Sequence, residues 1–205
     1  MSNVQAQFGF QHIGYTPGYA PDMAPTRRMI QSTYSTGIYF GDVVMKSSAS
    51  PYIAAVPSGF TGSTGTAIAG VFFGCYYVPL GQSAPSFAPW FPGSVQRDAT
   101  AIVIDSPGAL FRVAALNTAI PATAIGNNIG WSTGAGGTTF GAGYSTFTVD
   151  FATLTTGPGA AFTVVDTWSN KVGTTGNGVD NANPFNWVVV GFNNEWLRAG
   201  QTGVA

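Results

Sequence analysis

AIAGVFFGCYYVPL, residues 67–80, is the longest apolar run in the chain, and the fold class turns on how it is read. A membrane-spanning helix needs roughly 20 predominantly apolar residues. This run is shorter, carries Gly70 and Gly74, and closes at Pro79. Residues 67–78 therefore read as the most hydrophobic strand of a soluble domain. The two glycines are placed for β-bulges or a close backbone approach.

Working outward, the same texture recurs. Residues 37–46 (GIYFGDVVMK) give two short β-rich runs around Gly41-Asp42. Residues 52–56 form a run between Pro51 and Pro57, and 58–66 are a Gly/Ser/Thr loop. Residues 99–105 and 110–115 flank Ser106-Pro107-Gly108, a turn. Residues 144–154, 162–168 and 185–192 complete the set. In the first of these, Tyr144, Thr146, Thr148 and Asp150 alternate with Ser145, Phe147, Val149 and Phe151, the pattern of a half-buried strand. No window offers an amphipathic helix, and Leu, Lys, Glu and Arg are scarce. The expectation is one all-β domain over residues 37–205, a β-barrel or a jelly-roll-like sandwich.

Only 7% of the residues are charged, against 45% hydrophobic, and 28 are glycine. A soluble domain typically carries about 25% charged residues. An isolated monomer relies on charge to stay apart from its neighbours. A chain with so little is either in a membrane or covers much of its surface with other protein. A transmembrane barrel needs many alternating segments of about 10 residues with aromatic girdles. Here the aromatics fall in loops as often as at strand ends. Residues 1–10 (MSNVQAQFGF) have neither a basic n-region nor an apolar h-region, so the expectation is a chain made in a cytoplasm, with no membrane partner. Net charge is −1 and the seven basic residues are scattered, which argues against direct nucleic-acid binding. Cys75 stands alone, without a disulfide or zinc partner of its own kind, and its neighbours Phe73 and Tyr76 predict a buried thiol.

Residues 1–36 read as an extended N-terminal arm. Phe8, Phe10, Tyr15 and Tyr19 are interleaved with prolines and glycines, which oppose regular helix, while the rings want burial. An arm docked on another subunit meets both demands. Residues 81–93 (GQSAPSFAPWFPG) hold Phe87, Trp90 and Phe91 among three prolines, a stiff apolar loop suited to an interface. These seven aromatics are the candidate interface residues. Residues 117–143 form a long Gly/Ala/Thr/Asn loop, of the kind that is usually functional or held by a partner.

Catalytic signals are weak. Gly130-Trp131-Ser132-Thr133-Gly134 matches the G-x-S-x-G elbow, which needs a strand before it, a helix after it and a histidine later in the chain. The only histidine, His12, comes earlier. No local carboxylate pair suggests glycoside hydrolysis. Residues 176–184 (GNGVDNANP) could offer oxygens to calcium, but they contain one carboxylate and read better as a turn. No catalytic residue, cofactor or metal ligand is assigned.

The run Gly41-Asp42-Val43-Val44, then residues 67–75, then residues 101–107 with Phe111-Arg112-Val113, is similar to capsid decoration (cement) proteins of tailed bacteriophages. So are residues 124–128 and the late run 187–193. The resemblance spans residues 36–193 in order and leaves out the arm. It implies a small β-barrel or jelly-roll on the outer surface of the virion head. It also implies binding to the major capsid protein, assembly as a dimer or trimer, and no enzymatic activity. The alternatives are a phage tail, baseplate or head-fibre component, or a glycan-binding receptor module.

Overall fold

The computed structural model describes residues 8–18, 25–48, 51–57, 59–63, 68–116, 118–132, 143–168 and 184–196. The apolar run forms β5 (Gly70–Tyr77), which anchors a six-stranded antiparallel sheet. The others in it are β2 (Thr26–Ile30), β3 (Val43–Lys46), β4 (Ile53–Ala55), β6 (Ser86–Ala88) and β7 (Ala99–Ile104). Their order is β2-β7-β5-β3-β4, and β6 pairs with the far half of β5 beyond β3. Met29 of β2 also bridges Tyr52, next to β4, so the sheet curls until its ends meet. Ile30, Val44, Phe72, Cys75, Ala101 and Val103 fill the curl together with Ile38 and Phe91 from loops.

A five-stranded sheet packs on the outside of this curl. Its strands are β1 (Gln11–Tyr15), β8 (Ala109–Ala114), β9 (Asn128–Ile129), β12 (Phe162–Thr167) and β13 (Trp187–Phe192), in the order β1-β8-β13-β12-β9. Phe111, Val113, Phe162, Val164, Val188 and Val190 meet Val43, Val71 and Ile104 of the curled sheet in one core. β10 (Trp131–Ser132) pairs with β11 (Thr148–Val149), and Trp131 and Val149 complete that core. The all-β expectation holds. The 106–108 turn is where expected: the Ala109 N–H donates to the Ser106 carbonyl at 2.9 Å. It carries the chain from β7 in one sheet to β8 in the other.

The glycines of β5 do what their spacing predicts. The register against β7 steps from Phe72↔Val103 to Gly74↔Ile102, so Phe73 is an extra, bulged residue. Gly70 and Gly74 have φ of +132° and +143°, a conformation that favours glycine. The bulge throws Phe73 outward, where it touches Phe40 at 4.7 Å between ring centroids.

The structure differs from expectation in three places. The described part of residues 1–36 is extended, but it pairs into this chain's own sheets: β1 lies along β8 and β2 along β7. It is therefore woven into the domain rather than lying outside it. Residues 144–154 do not form one strand. Residues 145–149 are buried throughout, and Asp150 then caps a 3-10 turn, Phe151–Thr153, by accepting the Ala152 N–H. The proline-rich loop does not stand clear of the fold: its Phe91 is 0% exposed inside the curl.

Candidate functional site

The curled sheet extends past the sheet packed on it. β1 is one edge strand of the five-stranded sheet, and beyond it Met29 of β2, Tyr76 of β5 and Phe87 of β6 are exposed on the outer side of the curled sheet. Register places Met29, Thr100, Tyr76 and Phe87 in one row across those four strands. Tyr76 is 48% exposed and Phe87 53%, with their rings 5.1 Å apart. Phe87 leans over Gly74, whose missing side chain leaves it room: a Cβ there would lie 2.9 Å from the Phe87 ring. Phe73 and Tyr144, both exposed, continue the aromatic surface through Phe40. Arg27, opposite Ile102, brings a charge to this side of the sheet.

A pocket of about 90 Å³ marks the step between the sheets. Tyr15, Pro25, Phe73 and Ile104 give it apolar walls, and His12, Asp105 and Ser106 its polar end. Burial lowers the His12 pKa, partly offset by a hydrogen bond with the Gly14 backbone. Its Nε2 is buried and lacks a hydrogen-bond partner among the described residues. Asp105 is engaged elsewhere. It accepts from the Thr26 hydroxyl at 2.6 Å and pairs with Arg28 at 2.5 Å, and the Arg28 guanidinium stacks 4.1 Å over Trp196. Asp105 is thus turned toward Arg28 and away from any role in orienting His12. The pocket can seat a small apolar group against Tyr15, Pro25, Phe73 and Ile104.

The seven candidate interface residues separate. Phe87 is on the ridge, and Tyr15 lines the pocket. Phe10 was expected to dock on another subunit. Instead it is a core residue, 1% exposed, because the start of the chain adds β1 to the sheet edge above it. Phe91 is likewise core and not interface. Trp90 is half-buried: its carbonyl accepts the Cys75 S–H at 3.5 Å and its indole lies against Gly143. Phe8 packs edge-on against Trp187, 5.2 Å away. Tyr19 and most of the 176–184 segment lie outside the described residues. Burial pushes the Cys75 thiol up to about 12, as an inert cysteine requires.

The G-x-S-x-G match has a packing explanation. Gly130 runs so close to the Thr61 carbonyl that a Cβ would clash, and Trp131 beside it is fully buried. Ser132 sits in β10 opposite Thr148. Among the described residues no cluster of three His, Cys, Asp or Glu side chains could hold a metal ion.

Set against known proteins, the chain matches no protein-family model, no curated protein and no solved structure.

Proposed function

We propose that the chain is a structural virion protein, a capsid decoration protein that binds the major capsid protein lattice on the outside of the head and stabilises it. The exposed aromatic row ending in Tyr76 and Phe87 is the observation that carries this reading. Large rings presented on a rigid sheet, on a chain with 7% charged residues, suit burial against another protein. The sequence resemblance supplies the identity of that protein. A partner that recognises only the assembled lattice favours the mature shell by mass action, and many copies on one lattice gain avidity.

Titration onto empty heads, read by co-sedimentation, tests the proposal. Saturation at a fixed number of copies per head is expected. Phe87→Ala should weaken binding by about thirtyfold, the effect of removing one hot-spot ring worth about 2 kcal/mol. Its melting temperature should hold, because Phe87 is outside both cores. Failure of the wild-type chain to bind heads would sink the capsid assignment. Unchanged affinity in Phe87→Ala would move the contact off the ridge.

A further inference from the structure

The exposed aromatics of the curled sheet form two seats along β5. The first is the pocket, walled by Tyr15, Pro25, Phe73 and Ile104. The second is the Tyr76–Phe87 pair, with rings 5.1 Å apart and inclined at 54°. The bulge creates the first seat. It turns Phe73 outward, 40% exposed, while Phe72 beside it is 0% exposed inside the curl. A bulge re-aims a side chain in this way at the expense of local pairing. Phe73 and Tyr76 are three residues apart, which is roughly 10 Å along a strand.

One charge lies between the seats. Register sets Arg27 opposite Ile102, and Ile102 opposite Gly74, which comes between Phe73 and Tyr76 in β5. Arg27 is exposed, and among the described residues it forms no ion pair. Two strand spacings put its backbone roughly 10 Å to the side of Gly74, a gap that an extended arginine side chain largely crosses. The nearby carboxylate, Asp105, is committed to Arg28 and the Thr26 hydroxyl. The face therefore offers two apolar seats in line and an unmatched cation beside the space that separates them.

We propose that the partner segment seated on this face is an extended Pro-x-x-Pro stretch with an acidic residue between its prolines. The inference rests on the ridge being the contact surface, and it names the chemistry of what the ridge contacts. A polyproline II segment has three residues per turn and rises about 3.1 Å per residue, so its prolines face the same way about 9 Å apart. That repeat matches the spacing of the two seats. One proline enters the pocket between Tyr15 and Phe73, and the next lies against Tyr76 and Phe87. Aromatic-lined surfaces bind such segments well because their backbone is already stiff and loses little entropy on docking. The pocket, at about 90 Å³, is smaller than the roughly 150 Å³ that encloses a benzene ring. It therefore takes a pyrrolidine ring and refuses an aromatic side chain. With both prolines facing the sheet, the residues between them project to the sides, and a carboxylate on the near side meets Arg27.

Titration of the isotope-labelled full chain with the peptide acetyl-Ala-Pro-Ala-Glu-Pro-Ala-amide, followed by NMR, tests this. Shift changes are expected at Arg27, Phe73, Tyr76 and Phe87. Replacing both prolines of the peptide by alanine should weaken binding about tenfold or more. Replacing its glutamate by glutamine should weaken binding about three- to fivefold, the scale of an exposed ion pair. Arg27→Glu should lose at least as much, and a lysine in place of the peptide glutamate should restore it. The titration needs no heads, so its result is separable from the capsid assignment. Peptide binding by a chain that ignores heads upholds this inference and gives the ridge a different partner. Absence of shifts at millimolar peptide overturns it, whether or not heads are bound. So does an alanine peptide that binds as tightly, or binding indifferent to Arg27→Glu.

Discussion

A chain lacking residues 1–30 should not fold. Phe10 stacks on Phe162 with ring centroids 4.6 Å apart and meets Phe111 edge-on at 6.4 Å. Its N–H donates to the Gly41 carbonyl at 3.0 Å, tying the segment to the start of β3. Truncating a buried phenylalanine to alanine costs about 3–5 kcal/mol. That is a large part of the roughly 5–15 kcal/mol by which a domain is stable. The deletion removes more: Ile30 from inside the curl, and the pairing partners of β8 and β7. Urea unfolding followed by tryptophan fluorescence should show Phe10→Ala shifted to a much lower midpoint. The deletion should show no cooperative transition. If the shortened chain unfolds cooperatively near the full-length midpoint, the segment is an appendage after all.

Asp42→Asn should flatten the dependence of stability on pH. Asp42 is 4% exposed, where the turn after Phe40 enters β3. Burial raises its pKa from 3.8 to about 6, against the opposing pull of the Ser145 hydroxyl and the Tyr39 N–H. Between those values the folded chain still holds a proton that the unfolded chain has released. Stability contributed by the protonated group is thus fully present below the unfolded value and lost as pH rises through about 6. A shift of about 2 units corresponds to about 3 kcal/mol. Asparagine keeps an oxygen for the Tyr39 N–H and never ionises. Relative to wild type, the variant should gain about 3 kcal/mol between pH 4 and pH 7 in urea unfolding. Asp98 works in the other direction, its pKa lowered chiefly by the Tyr52 hydroxyl, but it is common to both proteins and cancels in the comparison. Parallel pH profiles for the two proteins would refute the assignment.

The parts of the fold legible in the sequence are those set by neighbouring residues. The apolar run of β5, its glycine bulge and the 106–108 turn each follow from a few contiguous positions. The strands that escaped notice depend on distant partners. Arg28 meets Asp105 across 77 positions of sequence. Thr26-Arg27-Arg28-Met29-Ile30 looks like a polar stretch until β7 is beside it. β9, β10 and β11 are two residues each, too short for any periodicity. The same reason splits the candidate site. Exposed Phe87 and buried Phe91 share one proline-rich loop, and only the curl decides which ring is enclosed. The pocket was invisible because His12 is in β1 while Ser106 is in the turn between β7 and β8, more than 90 positions away in sequence.

The closure of the curled sheet at Met29 and Tyr52 bears on how copies of so uncharged a chain can meet. An open sheet ends in a row of unpaired N–H and C=O groups onto which a stranger's backbone can add. Here the terminal strands of the curled sheet meet at Met29 and Tyr52, and the remaining edge strand, β6, is only three residues long. The five-stranded sheet does have two rims, and both are blunted. β1 is interrupted by a register shift between His12 and Gly14, and β9 is only two residues long. Short and interrupted edges limit backbone pairing between copies without calling on electrostatic repulsion. Crowded together, copies of this chain find little free strand edge among the described residues, and contact between them falls mainly to side chains.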